Sequence, residues 1–453
     1  MKQVSHSSWA ILFVMVFFAV TFCISGLHQQ NRLKIDATSY YMYLPAVFLH
    51  NDLELKYIDQ DPAFYKELTW YNTLPGGERI IKHPMGMSVM LMPFFFIGHV
   101  VAYLGNFRCD GYSLPYQNAM SIGVLLYFLA GLHFLRKLLL NYFSETVVAV
   151  TLLLVVLGTN LFWYLTYEAF MSHGISFSLI CICVYFFDKW ILHGVRNDLI
   201  RFSVLFGLLL LIRPVLILLM IYFVITGIGS LGGWRRTALF IKPRIFSVLT
   251  ASGIIFLVCL PQLLYFKYIT GEWFFDFYRE DRFYFTQSEW LPFLAGFQKG
   301  WLVYTPLMGF AIAGLVPLYK QKREMFYAIL ATLLSCVYVF SSWWWWSYGY
   351  CFGMRVMIDF YGVFSIPLAC FISFLFSNRK RIIISCLIST FLVALNLFQT
   401  WQFSQGLIHF DCNTKESYFH GFFQTKATTA WYDLLKSYDL GRRKLGLGQI
   451  IYS

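Results

Sequence analysis

The sequence predicts an all-α polytopic membrane protein, and three observations carry that prediction. Of its 453 residues, 58% are hydrophobic and only 13% are charged, whereas a soluble domain carries about 25% charged residues. The apolar residues fall in repeated runs of the roughly 20 residues that cross about 30 Å of hydrocarbon. Aromatic residues make up 20% of the chain, including 30 Tyr and 14 Trp, the two types that gather at membrane–water boundaries.

The first run, Trp9 to Leu27, is longer than a signal-peptide core and lacks a cleavage site, so it reads as a retained span over about 8–28. Residues 29–83 carry Asp52, Glu54, Asp59, Asp61, Glu67 and Glu78, too many charges for hydrocarbon; they form a long first outer loop. Spans follow at 85–104, 117–135, 146–166 and 170–192. Residues 199–229 are one apolar stretch interrupted at Arg213-Pro214. An arginine is costly in lipid and a proline breaks the helix, so a hairpin or broken helix is expected there. A span at 246–268 precedes a polar, aromatic loop at 270–299, and further spans are expected at 300–319, 325–342, 357–377 and 381–401. The chain thus divides into a multi-span region, 1–401, of about 11–12 transmembrane helices and a polar tail, 402–453, expected outside.

Basic clusters mark the cytoplasmic side: Lys189/Arg196/Arg201, Arg235/Arg236/Lys242/Arg244, Lys320/Lys322/Arg323 and Arg379/Lys380/Arg381. They account for the net charge of +12 without nucleic acid. Counting from them places Glu168, the 270–299 loop, the Trp343 cluster and the tail outside. Two simple spans between 84 and 135 would leave Arg136-Lys137 outside as well. That region must therefore hold a re-entrant or irregular element, or the basic pair is an exception to the rule. The ten cysteines show neither zinc spacing nor a disulfide framework. There is no Gly-rich nucleotide loop, hydrolase elbow or HExxH motif, which argues against nucleotide-driven transport and against serine or zinc hydrolysis.

Five stretches carry candidate chemistry. In K-I-D-A-T-S-Y-Y-M-Y-L-P, from Lys34 to Pro45, helical spacing puts Asp36, Tyr40 and Tyr43 on one face, and a boundary carboxylate suits a general base. The bland alternative is a helix cap. Lys82-His83-Pro84 puts a cation where it can meet a lipid phosphate, or merely snorkel. Glu168, Ser172 and His173 share a turn between spans and could hold a metal or position a substrate, although one Glu and one His are too few ligands for a metal site and a hydrogen-bonded boundary histidine is the commoner case. Trp343 to Arg355, W-W-W-W-S-Y-G-Y-C-F-G-M-R, sets aromatic faces beside an arginine, which suits a sugar and its phosphate; an interface belt is the competing reading. The 270–299 loop, with Glu272, Asp276, Arg279, Glu280, Asp281 and Arg282, reads either as a substrate cover or as a helix lying on the membrane.

In this order the pieces resemble the GT-C class of integral-membrane glycosyltransferases, closest to the bacterial protein-mannosyltransferase and aminoarabinose-transferase-like branch (glycosyltransferase family 39-like). The resemblance is carried by Asp36 with Tyr40 and Tyr41 after span 1, by Lys82-His83-Pro84 closing the first loop, by Glu168 at a later outer turn, and by Trp345-Trp346 through Gly353 to Arg355. It implies a GT-C-like bundle and an inverting transfer from a polyprenyl-phosphate-linked sugar to an acceptor glycan, lipid or protein. Asp36 would be the general base, and Lys82 and Arg355 would neutralise the lipid phosphate. Tyr40, Tyr41, His83, Glu168, His173 and Trp346 would complete the substrate site. The implied location is a bacterial inner membrane with the site on the periplasmic side. No cofactor is specified, and a divalent cation is left open. A lipid-linked saccharide flippase or transporter, favoured by the mid-span Arg213, and a polysaccharide polymerase or ligase working through the 270–299 loop are the alternatives.

Overall fold

Runs of Leu, Ile, Val and Phe with no charged residues leave the backbone no partner but itself, and in hydrocarbon that means helix. The computed structural model describes residues 5–276 and 281–435. In order it contains α1 (His6–Ile24), α2 (Asp36–Tyr41), α3 (Tyr43–Phe48), α4 (Pro62–Tyr65), strands β1 (Tyr71–Thr73) and β2 (Arg79–Ile81), then α5 (Gly86–Leu104), α6 (Leu114–Leu140), α7 (Glu145–Leu157), α8 (Leu161–Thr166), α9 (Ser172–His193) and α10 (Arg196–Ile212). The second half contains α11 (Leu219–Ser230), α12 (Trp234–Ile241), α13 (Ile245–Thr270), α14 (Trp290–Ala295), α15 (Trp301–Tyr304), α16 (Met308–Gln321), α17 (Arg323–Ser341), α18 (Tyr361–Leu375), α19 (Arg379–Ser404) and α20 (Lys415–Gly421).

Among the described residues, 8 helical segments are long and apolar enough to cross a membrane, and Glu145–Leu157 and Pro214–Ser230 are shorter apolar helices. The chain is therefore a multi-pass integral membrane protein. The crossing segments differ in depth within the bundle. Of the most apolar window in Arg355–Leu375, 78% is buried, against 11% for Trp234–Thr270 and 17% for Arg379–Ser404. So α18 is the core of the bundle, while α13 and α19 are peripheral and present apolar side chains outward.

Several expected spans are interrupted. The 146–166 run breaks after α7 at Gly158, and the 300–319 run breaks at Thr305 between α15 and α16. Arg213-Pro214 ends α10 as anticipated, with Arg213 in extended backbone and a 3-10 turn over Pro214–Leu218 leading into α11.

Within residues 84–135, the helix α5 packs along α6. It runs antiparallel to α6: the Tyr127 hydroxyl donates to the Met90 carbonyl at 2.9 Å, and Gly98 lies against the Tyr116 backbone. Gly86, at the start of α5, is thus level with the middle of α6, packed on the backbone of Leu211 and Ile212 so closely that no Cβ would fit. The start of α6 meets the first loop, with Arg32 N donating to Gln117 Oε1 at 2.8 Å and Asn118 Nδ2 to the His28 carbonyl at 3.1 Å. Its far end joins the start of the chain, where Arg136 bonds Ser5 and pairs with Glu145 at 3.0 Å. The chain therefore runs from residue 32 into the bundle, returns along α5 toward the first loop, and reaches the N-terminal end along α6, where Arg136 sits beside the start of the chain.

Residues 402–435 fold back on the bundle. Gln402 Nε2 donates to the Gly421 carbonyl at 2.8 Å, and Tyr418 packs on Phe297 and Tyr304.

Candidate functional site

Where the first loop, the α8–α9 turn, the Arg213 break and the Trp343–Arg355 segment meet, they enclose a cavity of about 1790 Å³. Asp36, Tyr40, Lys82, His83, Glu168, His173 and Arg355 all line it. Two of the expected site residues, Tyr41 and Trp346, do not.

Asp36 opens α2, where a carboxylate is favoured by the first-turn N–H groups. The preceding Ile35 has φ +49° and ψ −123°, a conformation costly for a β-branched residue. Asp36 Oδ2 lies 3.1 Å from Arg355 Nη2. Burial pushes the Asp36 carboxyl up, but the cations beside it, Arg355 first and Lys82 after it, outweigh that and hold the group below the usual carboxylate range. The Tyr40 ring packs against His83 at a tilt, with ring centres 4.5 Å apart, and its hydroxyl accepts from Ser172 Oγ at 3.5 Å. Tyr41 points the other way. Its ring is fully buried against Tyr112 and its hydroxyl donates to the Gly111 carbonyl. It holds the loop to the α5–α6 turn, because successive residues of a helix project about 100° apart.

The Lys82-His83-Pro84 element is clamped from both sides. Ser39 Oγ accepts from the His83 amide at 3.1 Å, and the Tyr43 hydroxyl donates to the His83 carbonyl at 2.9 Å. Tyr43 thus shares in building the site without lining it. Lys82 Nζ sits 5.1 Å over the Trp70 ring and 3.9 Å from Asp281 Oδ2. Burial lowers His83 to about 4, so its imidazole is neutral at physiological pH.

Glu168 faces the cavity beside the stacked rings of Trp163 and Tyr167, whose centres are 4.6 Å apart. Burial pushes its carboxyl up to about 7, against the opposing pull of Arg355. Below it, His173 Nδ1 lies 2.9 Å from Asp359 Oδ1, and Asp359 Oδ2 takes the Arg213 guanidinium. Asp359 was missed at the sequence level. The signal was a single acid inside the apolar run that follows Arg355, since an uncompensated charge there is expensive.

The Trp343–Arg355 segment is irregular. Tyr348, Gly349 and Gly353 have φ of +57°, +62° and +60°. At Gly353 a Cβ would also come 3.0 Å from the Tyr304 Cβ, so only glycine turns the chain here to deliver Arg355. Asn160 Nδ2 and the Tyr164 hydroxyl anchor the carbonyl and amide of Phe352, at 3.2 and 3.0 Å. Lys299, also buried, donates to the Cys351 carbonyl. The turn brings Trp343, Trp344, Trp345, Tyr348 and Tyr350 to the cavity wall, while Trp346 packs on the hydrophobic core.

The described part of the late loop serves the same cavity. Asp276 and Asp281 line it, Phe283 pairs with Trp343, and the Trp344 amide donates to the Arg282 carbonyl at 3.0 Å. Glu272 is exposed and does not line it. Arg279 and Glu280 lie outside the described residues. Among the described residues, no three His, Cys, Asp or Glu side chains are grouped so as to hold a metal ion.

No protein-family profile and no curated protein matches the chain. What it does must be argued from the cavity.

Proposed function

We propose that the protein is a membrane glycosyltransferase of GT-C-like architecture, with about 11–12 crossing segments, that moves a sugar from a polyprenyl-phosphate donor to an acceptor. The proposed setting is a bacterial inner membrane with the cavity on the periplasmic side. The observation that carries the reading is the convergence of Asp36, Lys82 and Arg355, from distant parts of the chain, on one cavity. A carboxylate, two cations and a wall of tryptophans are the groups that a hydroxyl acceptor, a phosphate and a sugar ring would each need. The volume of about 1790 Å³ exceeds the ~300–1,000 Å³ of ordinary small-molecule pockets, which suits two substrates, one of them a lipid. One flank is apolar, from Leu211, Ile217, Leu218, Leu263 and Phe266, and accommodates an alkyl chain.

In the proposed reaction the acceptor oxygen attacks the anomeric carbon on the face opposite the phosphate. The bond from that carbon to the phosphate oxygen breaks, and the electron pair leaves with the phosphate. The acceptor proton passes to Asp36, while Arg355 and Lys82 balance the charge that develops on the phosphate. Such fixed charge in a water-poor site is commonly the largest catalytic contribution. The mid-stretch Arg213, which favoured a transporter, has its charge matched inside the bundle by Asp359. The test is sugar transfer from a polyprenyl-phosphate donor in reconstituted membranes. Asp36→Asn should abolish it while protein level and donor binding persist, and wild-type activity in that variant would end the proposal.

A further inference from the structure

The Asp36–Arg355 pair poses a chemical difficulty. A carboxylate gripped by a guanidinium is a poor base, because the cation that stabilises the anion lowers its affinity for a proton. We infer that Arg355 is an anion site held by Asp36, and that a phosphate ester arriving in the cavity takes the guanidinium from the carboxylate and frees Asp36 to accept a proton. This rests on the glycosyl-transfer reading for the use made of the freed carboxylate, but the exchange stands on geometry.

Four features point to it. Arg355 Nη2 lies 3.1 Å from Asp36 Oδ2, while a guanidinium offers five donors and grips phosphate with two at once; the incoming anion would be the better partner. Both side chains reach the cavity, at 16% and 15% exposure, so the exchange needs no opening of the core. The two sides of the pair are unequally fixed. Arg355 follows the glycine turn at Gly353 and leads into Val356–Phe360, all buried. Asp36 follows Ile35, whose φ of +49° is a strained conformation for a β-branched residue. Lastly, Lys82 stands by as a second cation at the same cavity, shared at 3.9 Å with Asp281.

The consequence is an order of events. Burial opposes the ionisation of Asp36, and Arg355, with Lys82, reverses that, with Glu168 facing the same space. Once phosphate neutralises Arg355, the main force holding the carboxylate ionised is gone, and the added negative charge pushes the same way as burial. The carboxyl's proton affinity then rises, as a general base requires. The phosphate donor therefore binds first, and its arrival arms the base for the acceptor.

The test is binding, so it requires neither the true sugar nor the true acceptor. The full chain in neutral-detergent micelles is titrated with inorganic phosphate and, separately, with dodecyl phosphate, reading the fluorescence of the cavity tryptophans Trp343–Trp345. Asp36→Asn, which removes the competitor and keeps the shape, should tighten binding by about tenfold, the equivalent of a modest ion pair. Arg355→Gln should weaken it by at least about tenfold, and Arg355→Lys should fall between because the fork is lost. The double variant Asp36→Asn/Arg355→Gln should bind like Arg355→Gln, and thermal unfolding of each variant checks that it is folded. Tightening seen with dodecyl phosphate alone assigns the site to a lipid headgroup, and tightening with both assigns it to phosphate itself; either supports the exchange. Equal or weaker binding by folded Asp36→Asn, or unchanged binding by folded Arg355→Gln or Arg355→Lys, overturns it. If the exchange holds and no sugar is ever transferred, the glycosyltransferase reading falls alone. If transfer occurs and Asp36→Asn binds no tighter, the exchange falls alone.

Discussion

Nδ1 of His173 lies 2.9 Å from Oδ1 of Asp359, whose other oxygen holds the Arg213 guanidinium. Three segments are joined there: the start of α9, the break after α10 and the approach to α18. The break at Arg213 leaves backbone groups outside helical pairing, and the buried carboxylate gives the arginine its reason to face inward.

Asp359 is fully buried, so taking away its charge removes the carboxylate that the Arg213 guanidinium pairs with. Asp359→Asn should destabilise the fold by about 3–5 kcal/mol, the usual cost of breaking one side of a buried pair. Adding Arg213→Gln should recover part of that loss. Thermal unfolding in detergent of the single and double variants checks it; equal destabilisation by both would show that the two charges do not compensate each other.

Asp36→Asn tests the catalytic centre. Removing a positioned base costs about 10²–10⁴-fold in rate, so transfer should drop by about that much while donor binding is kept or, through the exchange at Arg355, tightened. Initial rates at several donor concentrations separate the two effects. A raised KM with kcat intact would make Asp36 a binding group instead.

Glu168 gives a signed pH dependence. Its carboxyl is raised from 4.5 to about 7, chiefly by burial, so the folded chain holds a proton there that the unfolded chain has released. The stabilisation from that proton is complete below about pH 4.5 and is lost as pH rises through about 7. Glu168→Gln cannot ionise and should melt higher than the wild type at pH 8 by about 2 °C, with the difference shrinking toward pH 5. Melting curves across that range decide it, and a difference that grows on acidification would refute the assignment.

Gly353 is required by the backbone turn that delivers Arg355. Ala there would meet both the left-handed φ of +60° and the Tyr304 Cβ at 3.0 Å, costing at least about 1 kcal/mol. Gly353→Ala should lower both the melting temperature and activity. Gly309→Ala in α16, where a Cβ meets nothing within 4 Å, should be neutral or stabilise by about 0.5–1 kcal/mol. If the two variants melt alike, the turn at Gly353 tolerates a side chain.

Much of the scaffold was legible because apolar run length and helix length obey the same constraint: the expected span at 170–192 is α9, Ser172–His193. Breaks inside runs were harder to see. The 146–166 run stops where Asn160 turns inward to accept from Tyr361 at 2.8 Å and from Thr305 at 3.4 Å, and partners that distant leave no local trace. Charged residues at boundaries could be picked out one by one, and Asp36, Lys82, Glu168 and Arg355 all reach the cavity. The four consecutive tryptophans could not be sorted in that way. Identical neighbours carry no periodicity, and the left-handed turn at Tyr348-Gly349 decides that Trp345 faces the cavity while Trp346 packs inward.

The course of α5 can be tested without any substrate. Because α5 climbs back toward the first loop, the α5–α6 turn that contains Cys109 should lie on the same side of the membrane as residues 29–83; two simple crossings would put it on the opposite side. Cys109 is an exposed thiol outside any disulfide. In a Cys23→Ser background, where the other exposed thiol near the first loop is gone, a membrane-impermeant maleimide should therefore label the chain in intact cells, and adding Cys109→Ser should remove that labelling. A cysteine placed at Lys137, near the Arg136–Glu145 contact at the far end of α6, should react only after the cells are permeabilised. If Cys109 also required permeabilisation, α5 would be an ordinary crossing and Arg136-Lys137 would lie on the side of the loop. The cavity would then lose the wall that the descent from residue 32 to Gly86 builds.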